Sequence, residues 1–98
     1  MNIEQEYKDK IIAVVSALIP EAKIYLFGSR ATGKHAEMSD IDIALDVGQK
    51  IEPHWRIGEI RDTLQGLFIP YKIDVVDVYR IPDSMREILL EEKIVWKN

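Results

Sequence analysis

The stretch between Phe27 and Ile41 constrains the fold more than any other. Lys23-Ile24-Tyr25-Leu26-Phe27 reads as a strand that ends at Gly28. Ile41-Asp42-Ile43-Ala44-Leu45-Asp46-Val47 alternates with period two and reads as a second strand. The loop joining them nearly spells a P-loop. Gly28, Gly33 and Lys34 fit G-x-x-x-x-G-K-[ST], and His35 breaks the pattern where a hydroxyl should stand. A P-loop also needs a helix directly after its lysine, because the helix N-terminus and the loop amides hold the phosphates. Only His35-Ala36-Glu37-Met38-Ser39 separate Lys34 from Asp40, and no crossover helix fits there. The glycine loop therefore belongs to a motif of another kind.

The other elements follow from periodicity. Ile3 to Leu18 reads as a helix, with Ile3, Tyr7, Ile11, Val14, Val15 and Leu18 at helical spacing and Pro20 as its stop. Pro53 to Leu67 reads as a helix, with Trp55, Ile60, Leu64 and Leu67 available for one stripe. Tyr71 to Val78 is a third strand around Ile73, Val75 and Val76. Asp83 to Glu92 is a last helix with Met85, Ile88 and Leu89 as its apolar face, and Ile94-Val95-Trp96 adds a short edge strand. The order α-β-β-α-β-α predicts an α/β (α+β) fold: a small mixed sheet with helices packed on it. A chain of 98 residues, 47% of them apolar, suffices for one small domain spanning residues 1–98.

Composition narrows the function. The net charge of −4 argues against direct nucleic-acid binding, which usually comes with a basic face. There is no cysteine, hence no disulfide framework and no thiol chemistry. MNIEQEYKDK lacks the basic and apolar regions of a signal peptide, and no apolar run approaches the roughly 20 residues of a membrane span. These features predict a cytoplasmic protein with no membrane association.

Asp40 and Asp42, spaced i, i+2 on a strand, point to one face, while Ile41, Ile43 and Leu45 fill the other. Paired carboxylates repel, and a hard cation such as Mg²⁺ relieves that repulsion with oxygen ligands. Ahead of them stand Gly28, where backbone can approach a phosphate, and Ser29, with a hydroxyl and an amide. A phosphate-binding turn thus adjoins a metal-binding pair.

Gly28-Ser29, ten residues, then Asp40-Ile41-Asp42 resembles the G-S-x10-D-x-D signature of the polymerase-beta-like nucleotidyltransferase superfamily. FGSRATG and SDIDIAL resemble its minimal nucleotidyltransferase (MNT) branch, and the resemblance runs from the first helix to the last. It implies transfer of a nucleoside monophosphate, AMP from ATP, to a hydroxyl, with release of pyrophosphate. It also implies an antitoxin whose partner is a HEPN-type toxin. The family's third carboxylate is matched by Asp74. Asp77, three residues on, must face the opposite side of a strand and reads as exposed to solvent or capping a turn.

By this resemblance Asp40, Asp42 and Asp74 hold two Mg²⁺ ions, about 3.5–4 Å apart in such sites, that clamp the attacking and leaving oxygens. Asp74 is also the candidate general base. Gly28 and Ser29 hold the β- and γ-phosphates, Arg30 neutralises phosphate charge or makes a surface ion pair, Gly33 allows the tight turn and Ser39 braces the start of the strand. Lys34 and His35 read as solvated loop residues, Asp46 as a strand-end polar group, Tyr25 and Tyr71 as packing residues, Trp55 and Trp96 as core or interface. A small-molecule nucleotidyltransferase, or an antitoxin acting by occlusion, are the alternatives. So small a chain leaves little surface for an acceptor, which a partner or a second copy of the chain must then position.

Overall fold

The computed structural model describes residues 5–34 and 39–98. Its elements, in chain order, are α1 (Gln5–Leu18), β1 (Lys23–Phe27), α2 (Ser29–Thr32), β2 (Ile41–Asp46), α3 (Trp55–Gln65), β3 (Ile73–Asp77), α4 (Asp83–Glu92) and β4 (Ile94–Lys97). The sheet runs β3-β2-β1-β4. β1 and β2 pair antiparallel, with Phe27 opposite Asp42. β2 and β3, joined through α3, pair parallel with Asp42 opposite Asp74, as a helical crossover allows. β4 pairs antiparallel with β1 and is the predicted edge strand. The mixed sheet with helices upon it is the predicted architecture.

Alternation divides the sheet into two unlike faces. One carries Ile24, Leu26, Ile41, Ile43, Leu45, Ile73 and Val75, packed against Ile11 and Val15 of α1 and Ile57, Ile60 and Leu64 of α3. The other carries Tyr25, Ala44 and Val78, covered by Leu89 of α4, with Phe27 and Val76 packed alongside. The rows of residues on this second face run across the strands as Phe27–Asp42–Asp74, then Tyr25–Ala44–Val76. α4 covers the later rows and leaves the first open, so the acidic row sits at the free margin of the sheet.

Several expectations are corrected. The single turn α2 inside the glycine loop has no periodicity to betray it, since four residues are too few. The buried stripe of α3 is Ile57-Ile60-Leu64, and Trp55 stands 57% exposed at the helix start. The apolar face of α4 is only partly core: Leu89 is buried, while Met85 and Ile88 are 54% and 58% exposed. The predicted first turn of α1, from Ile3, lies outside the described residues. Among the described residues no helix is long and apolar enough to cross a membrane.

Asp77 is a further correction. It does cap a turn, accepting the Tyr79 amide at 2.9 Å, but it does not face solvent and is 3% exposed. It sits on the α1/α3 side of β3, where Oδ2 accepts the Ile51 amide at 2.7 Å and lies 3.3 Å from Arg80 Nε. Arg80 in turn donates to the Ile51 carbonyl at 2.8 Å. The carboxylate therefore fastens the connection after β2 to the end of β3. Losing one partner of such a buried set strands both a charge and an amide. Asp77→Ala should lower the free energy of unfolding by about 3–5 kcal/mol in urea titration. Asp77→Asn keeps an acceptor oxygen and should lose less.

Candidate active site

Gly28 ends β1 with φ 73° and ψ −155°, a conformation open in practice only to glycine. The chain needs it for a second reason. A Cβ at this position would come within 2.5 Å of Asp42 Oδ2. The backbone thus lies directly against the first carboxylate, and α2 starts from that contact. Ser29 is its first residue, half-buried, and its amide belongs to the first turn of a helix, where N–H groups have no intrahelical partner. Gly33 closes α2 in the left-handed conformation, φ 77°, and the Lys34 amide returns to the Ser29 carbonyl at 2.9 Å.

Asp40 is exposed and lies one residue before β2, and Asp42 is the strand's second residue. Asp74 joins them through the parallel register with Asp42. Crowding raises the Asp42 carboxyl above its ordinary range: burial contributes most, then the charges of Asp74 and Asp40, with Lys72 and Arg30 pulling the other way. The donor set consists of carboxylate oxygens, the ligands a hard divalent cation takes, and their uncompensated repulsion is what such a cation relieves. The residues therefore fit Mg²⁺. Among the described residues no acidic, His or Cys trio is already gathered into a cage. Asp74 supplies a reason: its Oδ1 accepts the Val75 amide at 3.0 Å and stands 3.5 Å from Arg61 Nε.

Arg61 has no place in the sequence argument. It lies on α3, donates to the Val75 carbonyl at 2.7 Å, and keeps Nε shut away from solvent without a hydrogen-bond partner. Nothing in the spacing of α3 distinguishes it from a solvated arginine.

Arg30 is corrected in kind. It is 1% exposed, so the reading as a surface ion pair does not hold. Its Nε and Nη2 donate to the Ser39 carbonyl at 3.0 and 2.7 Å, and Nε also reaches the Asp40 carbonyl at 3.2 Å. The guanidinium stacks over Tyr71 at 4.6 Å. Arg30 therefore braces the backbone that carries Asp40, and Ser39 contributes through its carbonyl. At the far end of the acidic face Asp46 accepts the Tyr25 hydroxyl at 2.9 Å and the Gly48 amide at 2.8 Å. Burial, and then this bond, push Tyr25 up to about 12. Lys34 is exposed, and His35 lies outside the described residues.

A glycine turn set against an acidic pair, with a third aspartate in register on the next strand, is the arrangement of a nucleotidyltransferase. The Polymerase beta, Nucleotidyltransferase family model matches residues 9–98, and the chain belongs to that family. It is 23% identical over 95 residues to the probable protein adenylyltransferase MntA of Haemophilus influenzae, covering 97% of this chain and 82% of that protein. A crystal structure of a toxin–antitoxin with AMP-PNP superposes with a TM-score of 0.75 at 26% identity, over 91% of this chain and 71% of that one. A tri-AMPylated Shewanella oneidensis HEPN toxin in complex with MNT antitoxin gives a TM-score of 0.73 at 23% identity, over 96% and 71%.

The raised carboxyl of Asp42 has a consequence for stability. The folded protein holds that proton more tightly than the unfolded chain, whose group titrates near 3.8. Its stabilising effect is therefore full below that value and is lost as pH rises through the higher folded value. In EDTA the melting temperature should fall across this window, and Asp42→Asn should melt higher than wild type at neutral pH with a flatter profile. Thermal melts at several pH values check both.

Proposed function

We propose that the chain is a Mg²⁺-dependent adenylyltransferase that moves AMP from ATP to a hydroxyl of a protein partner, a HEPN-type toxin, and so acts as its antitoxin. The observation that carries this is the contact between the Gly28 backbone and the Asp42 carboxylate, with Asp74 in register beside it. It sets the turn that we assign to the phosphates beside Asp42, which we assign to the cation, and Asp74, which we assign to the proton. The relatives support the adenylyl group and the partner, since one is a probable protein adenylyltransferase and another a complex of an MNT antitoxin with an AMPylated toxin. We assign the reaction to the cytoplasm, where a nucleoside triphosphate and a protein partner are both at hand.

The roles follow from position. Ser29, by its hydroxyl and its amide at the start of α2, holds the β- and γ-phosphates where Gly28 lets them come close. Asp40 and Asp42 hold the cation, which when bound neutralises charge on the transferring phosphate and the departing pyrophosphate. Asp74 accepts the proton of the acceptor hydroxyl. The acceptor oxygen bonds to the α-phosphorus as the bond from that phosphorus to the bridging oxygen of pyrophosphate breaks. Arg30 and Ser39 keep Asp40 in place without touching substrate, and Gly33 shapes the turn.

Incubating the chain with ATP, Mg²⁺ and its cognate partner should add AMP units to the partner in intact-mass spectra. Asp74→Ala should slow the addition by at least about 10²-fold, and Asp42→Asn should abolish it with the fold intact. An unmodified partner whose toxicity is nevertheless blocked points to occlusion instead. Efficient modification of a small hydroxyl compound without a partner points to a small-molecule acceptor.

A further inference from the structure

Two openings adjoin the acidic row. One is a groove of about 240 Å³ between Phe27 and Gly28 at the end of β1 and Met85 and Ile88 of α4. The other runs along the free edge of the sheet, outside β3, where Arg61, Val75 and Asp77 line it. Backbone parity fixes what this edge offers. The Ile41 amide donates to the Lys72 carbonyl at 2.8 Å, and the Val78 amide donates to the Leu45 carbonyl at 3.1 Å. Lys72, Asp74, Val76 and Val78 therefore turn their backbone groups to β2, and Val75 turns its N–H and C=O outward.

Side chains take both outward groups of Val75, and those side chains face each other. Asp74 bends over the edge so that Oδ1 accepts the Val75 amide at 3.0 Å. Arg61 reaches across from α3, and its Nη2 donates to the Val75 carbonyl at 2.7 Å. Arg61 Nε then stands 3.5 Å from Asp74 Oδ1. That is beyond the roughly 2.7–3.2 Å of an N–H···O bond, and Nε has no hydrogen-bond partner although it is shut away from solvent. The guanidinium is thus anchored on the backbone and draws Asp74 by charge alone. Asp42 leans the other way, since a Cβ on Gly28, at the end of the neighbouring β1, would meet its Oδ2. Two carboxylates in register are turned apart, Asp42 towards β1 and Asp74 towards α3.

We infer that Arg61 is a positioning residue for Asp74: with the Val75 amide it holds the carboxylate at the free edge, and a divalent cation at Asp40 and Asp42 has to take the carboxylate from it. This deepens the proposed AMP transfer and rests on its reading of the acidic pair as the cation site. One carboxylate has two claimants of the same sign. The present hold is weak enough to yield, because both partners of the ion pair are half-exposed and such pairs contribute little. Arg61 need not follow Asp74, because its bond to the Val75 carbonyl is independent of that side chain. Repulsion from Asp42 keeps Asp74 at the edge until a cation removes it. Filling the cation site and bringing the proton acceptor into the row are then one event.

Titrating the isotope-labelled whole chain with magnesium chloride at constant ionic strength, read by the NMR signals of backbone amides and arginine Nε groups, tests this. In wild type the Val75 amide and the Arg61 Nε should shift along the same saturation curve as the Asp42 amide, because both lose Asp74 as the site fills. Arg61→Gln should lower the Mg²⁺ concentration at half saturation by about two- to fivefold. In an Asp74→Asn background the same substitution should change it by less than about 1.5-fold. Val75 and Arg61 signals that stay still while Asp42 saturates overturn the assignment, and that readout needs no variant. An unchanged or raised half-saturation in Arg61→Gln overturns it too. So does an effect of equal size in the Asp74→Asn background, since the arginine then acts on the cation through its field and not through Asp74. A wild-type chain whose acidic row shows no response to Mg²⁺ fails earlier, at the proposed cation site, and the role of Arg61 falls with it.

Discussion

Everything at the active site depends on a side chain that is not there. Gly28 brings bare backbone against the Asp42 carboxylate, at a distance no Cβ could share. Because the backbone is bare, a positive φ is cheap, α2 can start at once, and its first amides arrive beside the acidic row. Any other residue would have to push Asp42 out of the row it shares with Asp74, or turn the chain away from it. A single glycine thus brings the end of β1 against the strand that carries Asp42. The near match to a P-loop ends where β2 follows the glycine loop, in the place where a P-loop has its helix.

The two faces of the sheet divide stability from chemistry. The face under α1 and α3 is filled by aliphatic side chains and holds the bulk of the core. That support lets the other face keep an unfavourable arrangement, with Asp42 crowded by Asp40 and Asp74. Functional sites commonly hold such costs, and the surrounding fold over-determines them. Arg30 belongs to the supporting side of this division. Its guanidinium stays buried on Tyr71 and donates to the Ser39 and Asp40 carbonyls, so it braces the backbone that carries Asp40.

Much of this was legible in the sequence. Period-two alternation placed Asp40 and Asp42 on one face, and the parity of Asp74 and Asp77 put them on opposite faces, as they are. The mixed sheet with helices upon it followed from the element order α-β-β-α-β-α, whereas the strand order came only with the structure. What periodicity could not read was the partner of each side chain. Parity alone showed that Asp77 left the site, yet not that Ile51 and Arg80, far along the chain or across a turn, would bury it. The burial of Arg30 and the contacts of Arg61 were unreadable for the same reason: an arginine's destination is set by tertiary contacts its neighbours in sequence do not reveal. Helical spacing likewise identified the Met85-Ile88-Leu89 face without showing that it borders a groove.

That last ambiguity has a physical basis. A helix face that packs on a core and one that borders a groove need the same residues at the same spacing; only the depth of contact differs. In α4 the transition occurs within a single turn. Leu89 reaches the sheet through Tyr25, Ala44 and Val78, whereas Met85 and Ile88 stop short of it. The gap is possible because row one of the sheet is acidic and cannot be covered by apolar side chains without stranding its charges. The crowded carboxylates therefore also hold α4 away from the margin of the sheet. The groove is the direct consequence of seating a charged site on the edge of so small a core.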